Sequence, residues 1–262
     1  MHFTKMHGLG NDYLYVYGEV PENIEELSVK LSERHFGAGS DGMIYISPSA
    51  VADFKMRIFN ADGSEAKMCG NGIRCVGKYV YDKGYTDKKN LKIETLSGIR
   101  TLDLQVTNGK VKSVAVDMGK AEVSEDLHIN IDGDEIICTP VSVGNPHAVI
   151  FVPDIDAAPL TTLGPEMEHN AAFPEGVNTE FIQVIDSCTL RMRVWERGSG
   201  VTMACGTGAC ASTAAAIKNN FCSFDEEISV ILDGGTLKIR ISPDYSVTMT
   251  GPAQIIYEGE TV

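Results

Sequence analysis

The sequence predicts an α+β fold of two pseudo-symmetric, mainly β domains, each wrapped around a central helix that opens on a cysteine. Three observations carry this reading. Two runs, Met68-Cys69-Gly70-Asn71-Gly72-Ile73-Arg74-Cys75 and Ala204-Cys205-Gly206-Thr207-Gly208-Ala209-Cys210, share the order Cys-Gly-polar-Gly, and each opens a helical segment. The likeness extends outward at a nearly constant lag: 134 residues from Asn11 to Asn145, 137 from Asp41 to Asn178, 136 from Arg57 to Arg193 and 136 from Cys69 to Cys205. A lag held at four places indicates an internal duplication. Most of the remaining chain reads as short strands punctuated by turn dipeptides such as Asn108-Gly109 and Asp132-Gly133.

In chain order, residues 2–17 read as two short strands around Gly8-Leu9-Gly10-Asn11-Asp12, and the alternation in Tyr13-Leu14-Tyr15-Val16-Tyr17 supports the second. Residues 22–35 have helical spacing, with Ile24, Leu27, Leu31 and Arg34 on related faces. The loop 37–42 leads into a strand at 43–46. No helix follows it, so it is not a phosphate-binding loop. A strand at 54–59, a turn at Asn60-Ala61-Asp62-Gly63 and the first cysteine helix at 73–81 come next. Strands at 91–95, 99–106 and 111–117 complete the first half. The second half predicts strands at 127–131, 136–143 and 148–152 and a helix near 162–169. Strands at 179–185 and 189–196, the loop Arg197-Gly198-Ser199-Gly200 and the second cysteine helix at 209–218 follow. Strands at 228–232, 236–241, 247–249 and 253–257 close the chain. No low-complexity linker is visible, and the expected boundary lies near Met118-Gly119, separating 1–118 from 119–250.

The 262 residues, 43% of them hydrophobic, suffice for a packed core. A net charge of −14, with Lys and Arg scattered, argues against a nucleic-acid partner. No apolar run approaches the ~18 residues of a membrane span, and the first residues lack the apolar core of a signal peptide. The expected location is therefore the cytoplasm. Seven cysteines without a secretion signal do not make a disulfide framework. No Cys-x-x-Cys pair or His at ligand spacing points to zinc, so no metal is expected. Cys75, Cys138, Cys188, Cys210 and Cys222 are expected as small buried or half-buried apolar residues.

A thiol at a helix start meets free backbone N–H groups and the positive end of the helix dipole. Both favour an anion and a thiolate. A lone Cys-Gly of this kind is most simply a buried helix-cap thiol. Duplication changes the balance, because two such thiols can be aimed at one ligand from opposite sides. Epimerisation at an α-carbon needs a base on one face and an acid on the other, and Cys69 and Cys205 are the candidates. Two interacting thiols titrate as a pair. The amides of Gly70, Asn71, Gly206 and Thr207 are candidates to hold a substrate carboxylate as carbanion charge develops, a device worth about 3–4 kcal/mol per donor elsewhere. Asn11 alone reads as a turn residue, and its counterpart Asn145 raises the functional reading. Glu196 and Arg197 are either a solvated strand end or a carboxylate for a substrate ammonium and a guanidinium for a distal carboxylate. Asn60, Asn145 and Asn178 offer neutral donors and acceptors. For His147 a core position and a substrate-orienting role stay open.

Taken together, His7-Gly8-Leu9-Gly10-Asn11-Asp12, Asn60-Ala61-Asp62-Gly63-Ser64-Glu65, Cys69-Gly70-Asn71-Gly72, Gly144-Asn145-Pro146-His147, Val177-Asn178 and the stretch from Glu196-Arg197-Gly198-Ser199-Gly200 to Ala204-Cys205-Gly206-Thr207-Gly208 resemble the diaminopimelate epimerase family, in order and over nearly the whole chain. The resemblance implies a cofactor-independent epimerase that interconverts LL- and meso-diaminopimelate in lysine and peptidoglycan precursor synthesis. It implies an active site in the cleft between two domains, an N-terminal domain completed by a closing segment at 251–262, and a homodimer. It also implies substrate contacts for the Asn, Glu196 and Arg197 positions. The sequence departs from the family at Gly42, which follows Asp41 where the family often carries Gln, so that substrate contact is in question. Two alternatives remain: a proline or hydroxyproline racemase of related fold, for which Glu196, Arg197 and the Asn set have no evident use, and a non-catalytic amino-acid binder, which needs no paired thiols.

Overall fold

The computed structural model describes residues 1–261. Val262, the last residue of the expected closing segment, lies outside them. The chain divides into two compact units, one of Met1–Asp117 with the segment from Thr250, the other of Met118–Met249.

The strand pairings repeat between the units. In the first, His2–Gly8 runs antiparallel to Asn11–Tyr17, which lies parallel to Gly42–Ser47. Phe54–Asn60 then adds antiparallel, Asn90–Thr95 parallel and Gly98–Thr107 antiparallel. In the second, Asp134–Ser142 runs antiparallel to Pro146–Phe151, which lies parallel to Asn178–Asp186. Thr189–Glu196 adds antiparallel, Ile228–Leu232 parallel and Gly235–Ile241 antiparallel. The same succession of five pairings in both units is the backbone record of the duplication. Gln254–Glu260 returns along His2–Gly8 in the first unit.

Among the described residues four helices accompany the strands: α1 (Ile24–Ser32), α2 (Gly70–Asp82), α3 (Leu160–Glu168) and α4 (Gly206–Lys218). Strand alternation distributes side chains between two helices in each unit. In the first, Leu14, Val16, Met43, Tyr45 and Phe59 pack with Ile24 of α1. The opposite face carries Tyr15, whose hydroxyl donates to the Gly72 carbonyl of α2, and Ile44 and Met56, which lie against Gly72. In the second unit Ala148, Ile150 and Phe181 pack with Leu160, Leu163 and Met167 of α3. Helices α2 and α4 are the buried ones. Small side chains make this possible: Ala211, Ala214, Ala215 and Ala216 of α4 are fully buried, and a Cβ on Gly77 of α2 would stand 2.9 Å from both Leu102 and Leu104.

The structure alters several expected elements. Helix α1 ends at Ser32, not at 35, because the Gly39 and Ser40 amides take the Leu31 and Ser32 carbonyls, both at 3.0 Å, in place of the helical donors. Arg34 therefore leaves the helix, and its Nη2 bonds Asp12 at 3.1 Å and Asp41 at 2.8 Å. The strand expected at 111–117 runs to Lys120, through the expected boundary. Two-residue strands at Glu65–Ala66, Glu122–Val123 and Gly200–Val201 carry too little pattern to be read from sequence. Cys188 is exposed, contrary to expectation, because it sits in the turn between Asn178–Asp186 and Thr189–Glu196. Cys75, Cys138, Cys210 and Cys222 are buried.

Gly42 has a backbone reason for its identity. Its φ is +151°, and a Cβ there would stand 2.1 Å from the Phe59 carbonyl oxygen of the neighbouring strand. No side chain fits without backbone movement. Gly42→Gln should therefore lower stability by more than about 2 kcal/mol. Urea unfolding is the measurement, and an unchanged midpoint would refute this account.

Candidate active site

Each cysteine run folds into the same device. Cys69 is extended at φ −139°, ψ 114° and caps α2, its sulfur accepting from the Gly72 N–H at 3.3 Å. Cys205 is extended at φ −115°, ψ 113° and caps α4, its sulfur accepting from the Gly208 N–H at 3.3 Å. The next amide goes to the Cys carbonyl, Ile73 to Cys69 at 2.9 Å and Ala209 to Cys205 at 3.0 Å. The Ile73 and Ala209 bonds are the first of each helix itself, and among the N–H groups before them, which have no partner within the helix, the cysteine sulfur takes that of the third helical residue. The first two belong to Gly70 and Asn71 in one unit and to Gly206 and Thr207 in the other.

The second glycine of each run is set by packing. A Cβ on Gly72 would stand 2.7 Å from Ile44 and 3.2 Å from Met56. One on Gly208 would stand 2.6 Å from Glu180 Oε1 and 2.9 Å from Met192. These floor residues are themselves related by the duplication lag, Ile44 to Glu180 and Met56 to Met192.

The candidate residues fall into one group per unit. In the first, the Cys69 thiol donates to Asn11 Oδ1 at 3.3 Å, and Asn11 Nδ2 donates to Asp41 at 2.8 Å. Asn11 begins a strand and does not sit inside the turn before it. Arg74, wholly buried, holds the first turn of α2 through the Gly70 carbonyl at 3.0 Å and Asn71 Oδ1 at 2.9 Å. Asn60 ends its strand and bonds Ser64 Oγ at 3.1 Å.

In the second unit, Asn145 Nδ2 donates to Thr207 Oγ1 at 3.3 Å, and Asn145 Oδ1 faces His147 Nε2 at 3.1 Å. His147 is a core residue and also part of the polar group, with Nδ1 2.7 Å from Glu180 Oε1. Asn178 Oδ1 accepts from the Arg197 N–H at 2.9 Å, and its Nδ2 donates to the Pro146 carbonyl at 3.1 Å. The exposed Arg197 side chain lies along Gly176 and donates to the Glu175 carbonyl at 2.6 Å. A surface cavity of about 430 Å³ adjoins these residues, lined by Asn145, Pro146, Phe173, Pro174, Glu175 and Gly176 among others. Glu196 accepts from the Thr202 hydroxyl.

The expectation that a helix start favours the thiolate fails at Cys205. Burial first, then the negative charges of Glu196 and Glu180, push its thiol well above the ordinary value, against smaller opposing bonds from Thr207 and the Gly208 amide. Glu196 is itself raised, by burial and then by Glu180, with the Thr202 hydroxyl pulling it back. A dipole of about half a charge cannot offset burial beside two carboxylates. Cys75, Cys138 and Cys222 are each pushed by burial to about 11, as expected of inert core thiols.

Glu180, Thr202 and Arg74 join the polar groups without having been proposed for the site from the sequence, and Asp41, read there only as the duplication counterpart of Asn178, joins them too. No local signal marks Glu180, which follows the polar Asn178 and Thr179. Among the described residues no group of side chains has the arrangement of a metal site, and no helix is long and apolar enough to cross a membrane.

Comparison with known proteins agrees with the geometry. The family model described as diaminopimelate epimerase matches in two segments, residues 3–124 and 139–256. A diaminopimelate epimerase of Acetivibrio thermocellus is 52% identical, covering 99% of this chain and 98% of that protein. Among solved structures, a phenazine biosynthesis protein of the PhzF family from Bacillus anthracis superposes with a TM-score of 0.83 at 16% identity, over 100% of this chain and 99% of that one. A hydroxyproline epimerase from Agrobacterium vitis gives 0.75 at 17%, over 99% and 91%. At such identities these two structures establish the fold alone.

The charge on Glu196 raises the Cys205 thiol, so removing it should lower that value and increase the thiolate fraction at pH 8. Cys205 of Glu196→Gln should accordingly alkylate with iodoacetamide several-fold faster than in the parent chain, by peptide mass mapping. An unchanged or slower rate would contradict this assignment.

Proposed function

This chain belongs to the diaminopimelate epimerase family, and from that premise we propose that it interconverts LL- and meso-diaminopimelate without a cofactor, by a two-base mechanism in which Cys69 and Cys205 serve opposite faces of the α-carbon. The observation that carries this reading is the twice-built helix start, with a thiol as cap and two first-turn amides beside it. In this reading the two units are the two epimerase domains, the first completed by the segment from Thr250. The enzyme works in the cytoplasm as a homodimer.

One thiolate takes the α-proton while the opposite thiol delivers another. The up-shifted Cys205 enters the cycle as a thiol, which suits the acid. The carbanion charge spreads into the substrate carboxylate, held by the amides of Gly70, Asn71, Gly206 and Thr207. Glu196 takes the substrate ammonium, and Arg197 takes the distal carboxylate with Asn60, Asn145 and Asn178 around it. Asn11 braces the Cys69 thiol. A proline or hydroxyproline substrate has no distal amino-acid end for Arg197 and the Asn set to hold.

The decisive experiment is turnover in deuterated water. The donating thiol exchanges its proton with solvent between turnovers, so early product from either isomer should carry deuterium at the α-carbon while unreacted substrate stays largely protiated. Early product that retains much α-protium would overturn the two-thiol assignment. Cys69→Ala and Cys205→Ala should each abolish epimerisation.

Arg197→Ala should lower kcat/KM for diaminopimelate by about 2–5 kcal/mol, the usual cost of removing one partner of a desolvated charge pair. Steady-state kinetics at matched folding tests this, and an unchanged kcat/KM would show that the exposed guanidinium does not hold the substrate.

A further inference from the structure

We propose that Glu180 is a positioning residue for Cys205, acting through an unbroken line of hydrogen bonds that runs Glu180–His147–Asn145–Thr207–Cys205. The inference rests on the reading of Cys205 as one of the two reacting thiols. Its first support is the duplication. Glu180 occupies the floor position beneath the helix start that Ile44 fills in the other unit. An apolar side chain is what that position needs for packing, and Ile44 shows that it suffices. A carboxylate there, wholly buried and with Oε2 lacking a hydrogen-bond partner, costs stability unless it has another use.

The second support is the sense of the bonds. Asn145 Nδ2 donates to Thr207 Oγ1 at 3.3 Å, so Asn145 Oδ1 is the atom that faces His147 Nε2 at 3.1 Å. An oxygen facing a bare ring nitrogen would be repelled, so Nε2 must carry a proton. The 2.7 Å bond from Nδ1 to Glu180 Oε1 then holds a second proton between ring and carboxylate. Thr207, having accepted from Asn145, has its own hydroxyl hydrogen left for the Cys205 sulfur 3.6 Å away. From His147 Nε2 onward every donor in the line points toward Cys205, while Nδ1 is anchored on Glu180. Glu180 holds the ring, the ring fixes the amide, and the amide frees the hydroxyl.

This line answers a specific problem. Burial, Glu196 and Glu180 all oppose a thiolate at Cys205, and the Thr207 hydroxyl is one of the groups that oppose them. A two-base cycle leaves Cys205 as a thiolate whenever it has delivered its proton. A directed donor at the sulfur stabilises that state without adding a full positive charge.

Glu180→Ile, which copies the floor of the other unit, is the test variant. It should keep the fold and lower kcat by on the order of 10- to 100-fold, the size expected of a misplaced reacting group. Thr207→Val should lower kcat as well. The double variant should cost little more than the larger single change, because both break one line. Additive losses would overturn the proposal, as would full activity of Glu180→Ile. Nitrogen NMR of the ring needs neither variant nor turnover: His147 should show a protonated Nε2 in the parent chain, and a bare Nε2 would overturn the proposal even in a fully active enzyme. An inactive protein with a protonated Nε2 would instead refute the proposed function and leave the hydrogen-bond line standing.

Discussion

A sulfur atom that must cap a helix constrains everything else in both units. To accept from the third amide, the cysteine must be extended while its carbonyl already bonds into the helix. That fixes the thiol at the mouth of the first turn, beside two amides the helix does not use. It also brings the helix start down onto the strands, so the residue three past the cap can have no side chain. The Cys-Gly-polar-Gly order follows from these demands. The buried, small-residue character of α2 and α4 follows as well, since a helix seated on its sheet at one end lies within the curl of that sheet along its length.

The duplicated device has diverged electrostatically. Around Cys69 a buried guanidinium, Arg74, grips the Gly70 carbonyl and the Asn71 side chain. The residue at the same lag in the other unit is Cys210. Around Cys205 the nearby charges are the carboxylates of Glu196 and Glu180. The asparagines preceding the devices also differ in sense. Asn11 offers its oxygen to the Cys69 thiol, whereas Asn145 offers its amide to Thr207. Equivalent backbones are thus braced by a guanidinium at the first turn in one unit and flanked by carboxylates at the thiol in the other.

Much of this was legible in the sequence, for physical reasons that also mark where legibility ends. Cys69 and Cys205 were readable because a cap is local and leaves a fixed pattern within four residues, repeated at a constant lag. Strand alternation was readable in Tyr13 to Tyr17 because one set of side chains faces α1 and the other α2. What could not be read depends on partners brought together by the fold. Arg34 follows the helical spacing of α1, but the Gly39 and Ser40 amides beyond it compete for the last carbonyls and unwind that turn. Glu180 reaches Gly208 only because its strand lies parallel to the strand of His147 and beneath α4. The local rule that a helix start favours a thiolate was correct in direction and too small in magnitude, because it takes no account of burial or of carboxylates from other strands.

That imbalance suits a reaction with two bases. Two thiols in identical surroundings facing one substrate would compete for the same proton, and the productive state with one charged and one neutral would have no preferred arrangement. Biasing one site against charge gives the pair a defined resting form. In the proposed cycle the bias has a limit, because each turnover in one direction leaves the disfavoured site charged until it exchanges. Carboxylates supply the bias at Cys205, while the capping amide and the Thr207 hydroxyl limit it. Neutral donors suit this better than a lysine or arginine would. They strengthen as charge develops on the sulfur, yet leave the neutral thiol nearly undisturbed, so they ease the difficult half of the cycle without erasing the resting preference.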